Sequence, residues 1–170
     1  MEPPSNFRCE EKGLTIKATA TLVSKASKDS VWKAMEDLES WPKWADSTRK
    51  TRMISCKIVS REANTVVCDV EEVVNGRHGK HRERDTFYPK EKIEGEFVTG
   101  PLRGSNSMSC TETPQGTRID MSFDVVPSNI VYRILGFFMN FKKMLQGVTD
   151  EYCKQLSDYA EAHPESLTIA

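Results

Sequence analysis

Apolar and polar residues alternate from Leu14 to Val23. Leu14, Ile16, Ala18, Ala20 and Leu22 fall on one side, and Thr15, Lys17, Thr19 and Thr21 on the other, the period of a half-buried strand. The period changes at Ser27, a candidate helix cap followed by Asp29. Val31, Ala34, Met35 and Leu38 then recur at helical spacing. Trp41-Pro42-Lys43-Trp44 ends that helix in this reading, because proline disfavours helical backbone at the residue before it. From Arg52 to Val126 the pattern predicts only strands and turns. Ile54, Cys56 and Ile58 alternate with polar residues, and Thr65–Val74 leads into Asn75-Gly76, a pair suited to a type I′ hairpin turn. Further strands are expected over Arg77–Tyr88, Lys92–Thr99, Gly104–Thr113 and Thr117–Val126, with Pro89-Lys90, Gly100-Pro101 and Pro114-Gln115-Gly116 as the breaks. After Pro127-Ser128 one apolar stripe runs through Ile130, Ile134, Phe138, Phe141, Leu145, Val148, Tyr152 and Tyr159, a helix of about 30 residues and about 45 Å.

This order places a single domain at 14–162, after a flexible lead-in at 1–13 and before a C-terminal tail at 163–170. A chain of 170 residues suits one domain that needs neither disulfide nor metal to hold it together. The net charge of -1 argues against general affinity for nucleic acid. No apolar run reaches the roughly 20 residues that span a bilayer, and Met1–Glu11 lacks a signal-peptide core, so a cytoplasmic location is expected. The five cysteines are scattered without a Cys-x-x-Cys pair, and read as reduced and structural.

Strand, short helix, a meander of about six strands and one long amphipathic helix together resemble the START, polyketide-cyclase and birch-pollen-allergen superfamily. The residues that carry the resemblance are Lys17 to Trp44: a strand, then Ala-Ser-Lys-Asp-Ser-Val-Trp, then Trp41-Pro42-Lys43-Trp44. The polyketide cyclase/dehydrase and coenzyme Q-binding-like members are the nearest. The resemblance implies an α+β helix-grip fold, in which a curved antiparallel sheet of six or seven strands wraps a long C-terminal helix, with one or two short helices after the first strand. It also implies a cavity between sheet and helix for a lipid, quinone or polyketide-like molecule.

The hairpin sets a register. With Asn75 and Gly76 in the loop, Val74 faces Arg77, Glu72 faces Gly79, Val70 faces His81, Cys68 faces Glu83 and Val66 faces Asp85. On the other face Glu71 meets Lys80, Asp69 meets Arg82 and Val67 meets Arg84, opposite charges that suit a solvent side. The concave side then carries Val66, Cys68, Val70, Glu72 and Val74 with His81, Glu83 and Asp85. Ile93, Phe97, Ile119, Met121, Phe123 and Val125 face the helix, and Phe138, Phe141, Leu145, Val148 and Tyr152 face them back. Trp41, Trp44, Pro101 and Leu102 are the candidate cavity mouth, although Trp32, Trp41 and Trp44 read first as a packing lid over one end of the barrel and only second as an aromatic entrance.

His78 and His81 lie three apart on a strand and so point to opposite faces, which rules out a shared metal; no metal and no cofactor is expected. There is no phosphate loop, no Gly-x-Ser-x-Gly elbow and no cysteine paired with a base. The reading favoured is a carrier or chaperone of a hydrophobic small molecule, acting as a monomer or weak dimer with a protein partner possible. A cyclase/aromatase-type enzyme using His81, Glu83 or Asp85 as acid and base is the alternative. A protein-interaction module is the second.

Overall fold

Ser27 caps the first helix as its side chain predicts: its Oγ accepts from the Ser30 amide at 3.1 Å, and Asp29 lies in the first turn. The structure, a computed structural model, describes residues 8–12, 15–45, 51–74, 76–129 and 140–164. In chain order the elements are β1 (Arg8–Lys12), β2 (Thr15–Ser24), α1 (Lys28–Glu36), a 3-10 turn (Leu38–Ser40), α2 (Trp41–Trp44), β3 (Thr51–Glu62), β4 (Thr65–Val74), β5 (Arg77–Tyr88), β6 (Lys92–Thr99), β7 (Leu102–Thr113), β8 (Gly116–Pro127) and α3 (Phe141–Ala162). Replacing Ser27 with Ala removes the cap of α1 and is expected to cost about 1 kcal/mol, read as a lower urea midpoint.

The strands form one curved antiparallel sheet in the order β1-β2-β8-β7-β6-β5-β4-β3. The helix-grip expectation holds, with one strand beyond the six or seven. That strand, β1, lies inside the segment read as a lead-in, and pairs Arg8 with Thr19 through Lys12 with Thr15. Its sequence, Arg-Cys-Glu-Glu-Lys, has no apolar period to announce a strand; backbone pairing to the edge of β2 makes it one. A second difference falls at Trp41-Pro42. Pro42 opens a turn of helix instead of only ending one, since a proline in a first turn lacks an N–H that would have no partner there.

Bulges adjust the pattern on β3. The pairing shifts between Met53 and Ser55, which leaves Ile54 exposed while Met53 and Cys56 are both buried. The expected run of Ile54, Cys56 and Ile58 on one face therefore breaks at Ile54, because the extra residue reverses the side-chain phase.

α3 packs on β2, β8, α1 and α2. Its end is tied down by Glu161, whose carboxylate accepts from Ser24 Oγ at 3.0 Å and from the Lys25 amide at 2.9 Å. These bonds hold the Glu161 carboxyl below its ordinary range. At the other end Asn140 takes a left-handed conformation and accepts from the Lys143 amide. The helical stripe expected over Ile130, Ile134 and Phe138, and the Asn75 of the hairpin, lie outside the described residues. No helix of the described residues is long and apolar enough to cross a membrane.

The interior divides into two apolar clusters. The larger gathers α1, the tryptophans, Val66, Cys68, Val70, Ile93, Ile119, Met121, Val148 and Tyr152. The smaller holds Ile16, Ala18, Phe97, Val125 and Leu145, with Leu102, Phe123 and Phe141 packed against it.

Candidate functional site

The β4–β5 hairpin pairs in the register read from Asn75-Gly76, with Val70 opposite His81, Cys68 opposite Glu83 and Val66 opposite Asp85. The consequence is a row of titratable side chains on the inner face of β4 and β5, graded in depth. Side-chain exposure falls from 22% at Glu72 to 10% at His81 and 5% at Glu83, and Asp85 is fully buried. The outer face carries the predicted charge pairs. Arg82 grips Asp69 with two bonds of 2.7 and 2.9 Å, and Lys80 and His78 meet Glu71. His78 is thus outside and His81 inside.

The inner row is linked along its length. Tyr152 of α3 donates its hydroxyl to Glu72 Oε2 at 3.2 Å. His81 places Nδ1 3.7 Å from Glu72 Oε1 and Nε2 3.7 Å from Glu83 Oε2. Asn106 of β7 donates to the same Glu83 oxygen at 3.1 Å. At the deep end the Cys68 thiol donates to Asp85 Oδ2 at 3.4 Å, while Asp85 Oδ1 is buried with no hydrogen-bond partner among the described residues. Gly95 makes room here: a Cβ on it would come within 2.6–2.8 Å of the Asn106 amide atoms and Asp85 Oδ1.

The row also bridges the two apolar clusters. The His81 imidazole packs edge-on to Phe97, with ring centroids 5.3 Å apart, and Phe97 stacks on Phe123. Tyr152 and Cys68, at the other contacts of the row, belong to the larger cluster. His81 stands at the rung where β5 and β6 separate, since Arg82–Thr99 is their last pair. Gly100, at φ 116°, passes so close that a Cβ would lie 2.6 Å from His81 Cβ. On the outer side of this gap is a recess of about 370 Å³ lined by Lys57, Asp69, Glu71 and Lys80 among others, and His81 reaches it as well.

Electrostatics follow from a shortage of positive charge. Glu83 and Asp85 are the buried side chains of charged type among the described residues, and no lysine or arginine joins them. Burial, and then the charge of Glu83, push the Asp85 carboxyl up to about 8. Burial raises Glu72 as well. For His81 burial works against the charged form, yet Glu83, Glu72 and Asp85 together outweigh it and raise its affinity for a proton. Tyr152 is held well above the ordinary tyrosine range by burial and by Glu72.

Cys68, Glu83 and Asp85 each bring one ligand-type atom within 4.8 Å of the others. The Cys68 thiol is raised by its hydrogen bond with Cys56, by burial and by Asp85, so with Asp85 it forms a pair of neutral acids at neutral pH.

Val66, Cys68, Val70, Ile93, Phe97, Ile119, Met121, Leu145, Val148 and Tyr152 are all buried in the two clusters, and Phe123 and Phe141 are partly buried. Phe138 lies outside the described residues. The expected mouth residues divide. Trp41 and Trp44 are buried, with Trp41 Nε1 donating to Met35 O at 2.9 Å and Trp44 meeting Tyr152 edge-on. Pro101 and Leu102 are half-buried, and Leu102 lies against the smaller cluster. Asn106 was not singled out from sequence. Its spacing of two and four from the buried Met108 and Cys110 is the signal that places it on the inner face.

Comparison with known proteins supports the architecture. The profile of the family described as polyketide cyclase / dehydrase and lipid transport matches residues 15–161. Among solved structures, the protein TTHA0849 from Thermus thermophilus superposes with a TM-score of 0.73 at 16% identity, over 86% of this chain and 97% of that one. The Zhui aromatase/cyclase from Streptomyces sp. R1128 gives 0.74 at 13%, over 86% and 94%. A START superfamily protein from Mycobacterium smegmatis gives 0.58 at 20%, over 86% and 97%. No curated protein matches the sequence.

Proposed function

Because the chain belongs to the polyketide cyclase / dehydrase and lipid transport family, we propose that it binds an apolar small molecule, lipid, quinone or polyketide-like, between the sheet and α3, as a carrier or chaperone. One observation carries this reading: a linked row of polar groups, Glu72, His81, Glu83 and Asp85, set between two apolar clusters and reaching from partial exposure to full burial. Burying such groups is costly without partners, and a bound molecule with a polar end would supply them. The apolar residues on both sides suit the rest of that molecule.

Native mass spectrometry of freshly purified protein, followed by organic extraction, tests the reading. A stoichiometric apolar molecule is the expected result. An empty protein that also fails to bind Nile red sinks it, and leaves the protein-interaction module as the better account.

A second reading has its own support. Asp85, kept as a neutral acid up to about pH 8, and His81, with its raised proton affinity, put a proton donor and a proton acceptor into one row. That is the equipment for enolising a carbonyl substrate, as in a cyclase-type reaction. His81→Ala separates the two: it abolishes turnover in an enzyme, but in a carrier only weakens binding.

A further inference from the structure

The chemistry of the inner row specifies more than a polar end. Glu72, Glu83 and Asp85 present carboxyl oxygens, Tyr152 already donates to Glu72, and Asn106 already donates to Glu83. The single cationic candidate among them, His81, is flanked on both ring nitrogens by Glu72 and Glu83 at 3.7 Å. No lysine or arginine is buried among the described residues. Asp85 Oδ1 is buried without a partner there. A ligand carboxylate or phosphate would therefore find no lysine or arginine, and would find His81, Tyr152 and Asn106 already engaged with Glu72 and Glu83, whereas a hydrogen-bond-donating cation would meet the carboxyl oxygens of Glu72, Glu83 and Asp85.

We propose that the molecule held between sheet and helix carries a protonated amine at one end, recognised by the carboxyl groups of Glu72, Glu83 and Asp85, and that apolar acids are selected against. This rests on the ligand-binding reading above and adds the class of head group. The direction of proton affinity along the row agrees with it. Burial raises Glu72 and Asp85, and the neighbouring carboxyl groups raise His81, the direction expected where acidic groups outnumber cations. Steric access fits as well, since Glu72 is the most exposed member of the row and would meet the head group first.

Three probes of equal chain length test the proposal: dodecylamine, dodecanol and dodecanoate, each displacing Nile red at pH 7.5 below its micelle concentration. The amine is expected to bind at least about tenfold more tightly than the alcohol, and dodecanoate at least about tenfold more weakly than the amine. Glu72→Gln should remove most of the advantage of the amine while leaving dodecanol affinity in place, which also shows that the variant is folded. Glu71→Gln, on the outer face of the same strand, should leave the amine unaffected. Dodecanoate binding as tightly as the amine, or dodecanol binding as tightly, overturns the head-group assignment while the apolar site stands. If neither Nile red nor any of the three probes binds, the ligand-binding reading itself falls, and the head-group assignment falls with it.

Discussion

At pH 8 the Asp85→Asn protein is expected to be more stable than the parent by about 2–5 kcal/mol. Asparagine keeps the shape of the side chain and can still accept from the Cys68 thiol, but it never has to ionise. Asp85 does. Its folded-state value, pushed up to about 8 by burial and by Glu83, lies far above its ordinary 3.8. Below pH 4 both folded and unfolded chains hold the proton, and stability is unaffected. Between about 4 and 8 the unfolded chain releases it while the folded chain keeps it, so stability falls as pH rises and levels off beyond the upper value. Glu72 is raised as well and acts with the same sign. His81 adds a further loss as pH climbs through its raised value, because its favourable contacts with Glu83 and Glu72 need the proton. The carboxyls held low, Asp69, Glu94 and Glu161, act oppositely but only in acid. The parent should therefore be most stable in mildly acidic solution, and Asp85→Asn should flatten much of the decline toward pH 8. Urea unfolding at pH 5, 7 and 9 measures both slopes. A parent whose stability holds or rises from pH 5 to 8, with the variant unchanged beside it, would contradict the burial of an uncompensated carboxyl.

Gly104→Ala is expected to cost about 3 kcal/mol or more, a fall in Tm of about 10 °C. Gly104 lies inside β7 with φ 119°, opposite Val125 of β8. A Cβ there would stand 2.1 Å from the Asp124 carbonyl oxygen and 3.0 Å from Val125 Cα, both backbone atoms with little freedom to retreat. The left-handed backbone adds strain of its own for any side chain. Asn106, the hydrogen-bond partner of Glu83, lies two residues on in the same strand. Gly147→Ala is the contrast. Gly147 sits in α3, and nothing lies within 4 Å of a Cβ added there, so alanine should raise stability by about 0.5–1 kcal/mol through helix propensity. Thermal unfolding of the two variants gives the signs; an unaltered Tm for Gly104→Ala would show that β7 and β8 can part locally without cost.

Much of the site was legible in the residues alone. The Asn75-Gly76 turn and the opposite charges of Asp69–Arg82 and Glu71–Lys80 encode register locally, and that register alone decides that Val66, Cys68, Val70, Glu72, His81, Glu83 and Asp85 share the inner face. The Ser27 cap, the helical spacing of α1 and the apolar side of α3 are local in the same sense: neighbouring residues carry the period, and the period selects the element.

Other features depend on groups far apart in the chain. β1 is polar and becomes a strand only because the edge of β2 is open beside it. The bulge that turns Ile54 outward belongs to the pairing of β3 with β4, not to either strand alone. Tyr152 meets Glu72 across 80 residues, and Asn106 meets Glu83 across 23. The depth of each titratable group follows from what distant elements bring to it: Tyr152 at Glu72, Phe97 at His81, Asn106 at Glu83 and Gly95 beside the orphaned oxygen of Asp85. Periodicity tells which way a side chain points; only the packing of distant elements around it determines how much water it loses and which charges it meets.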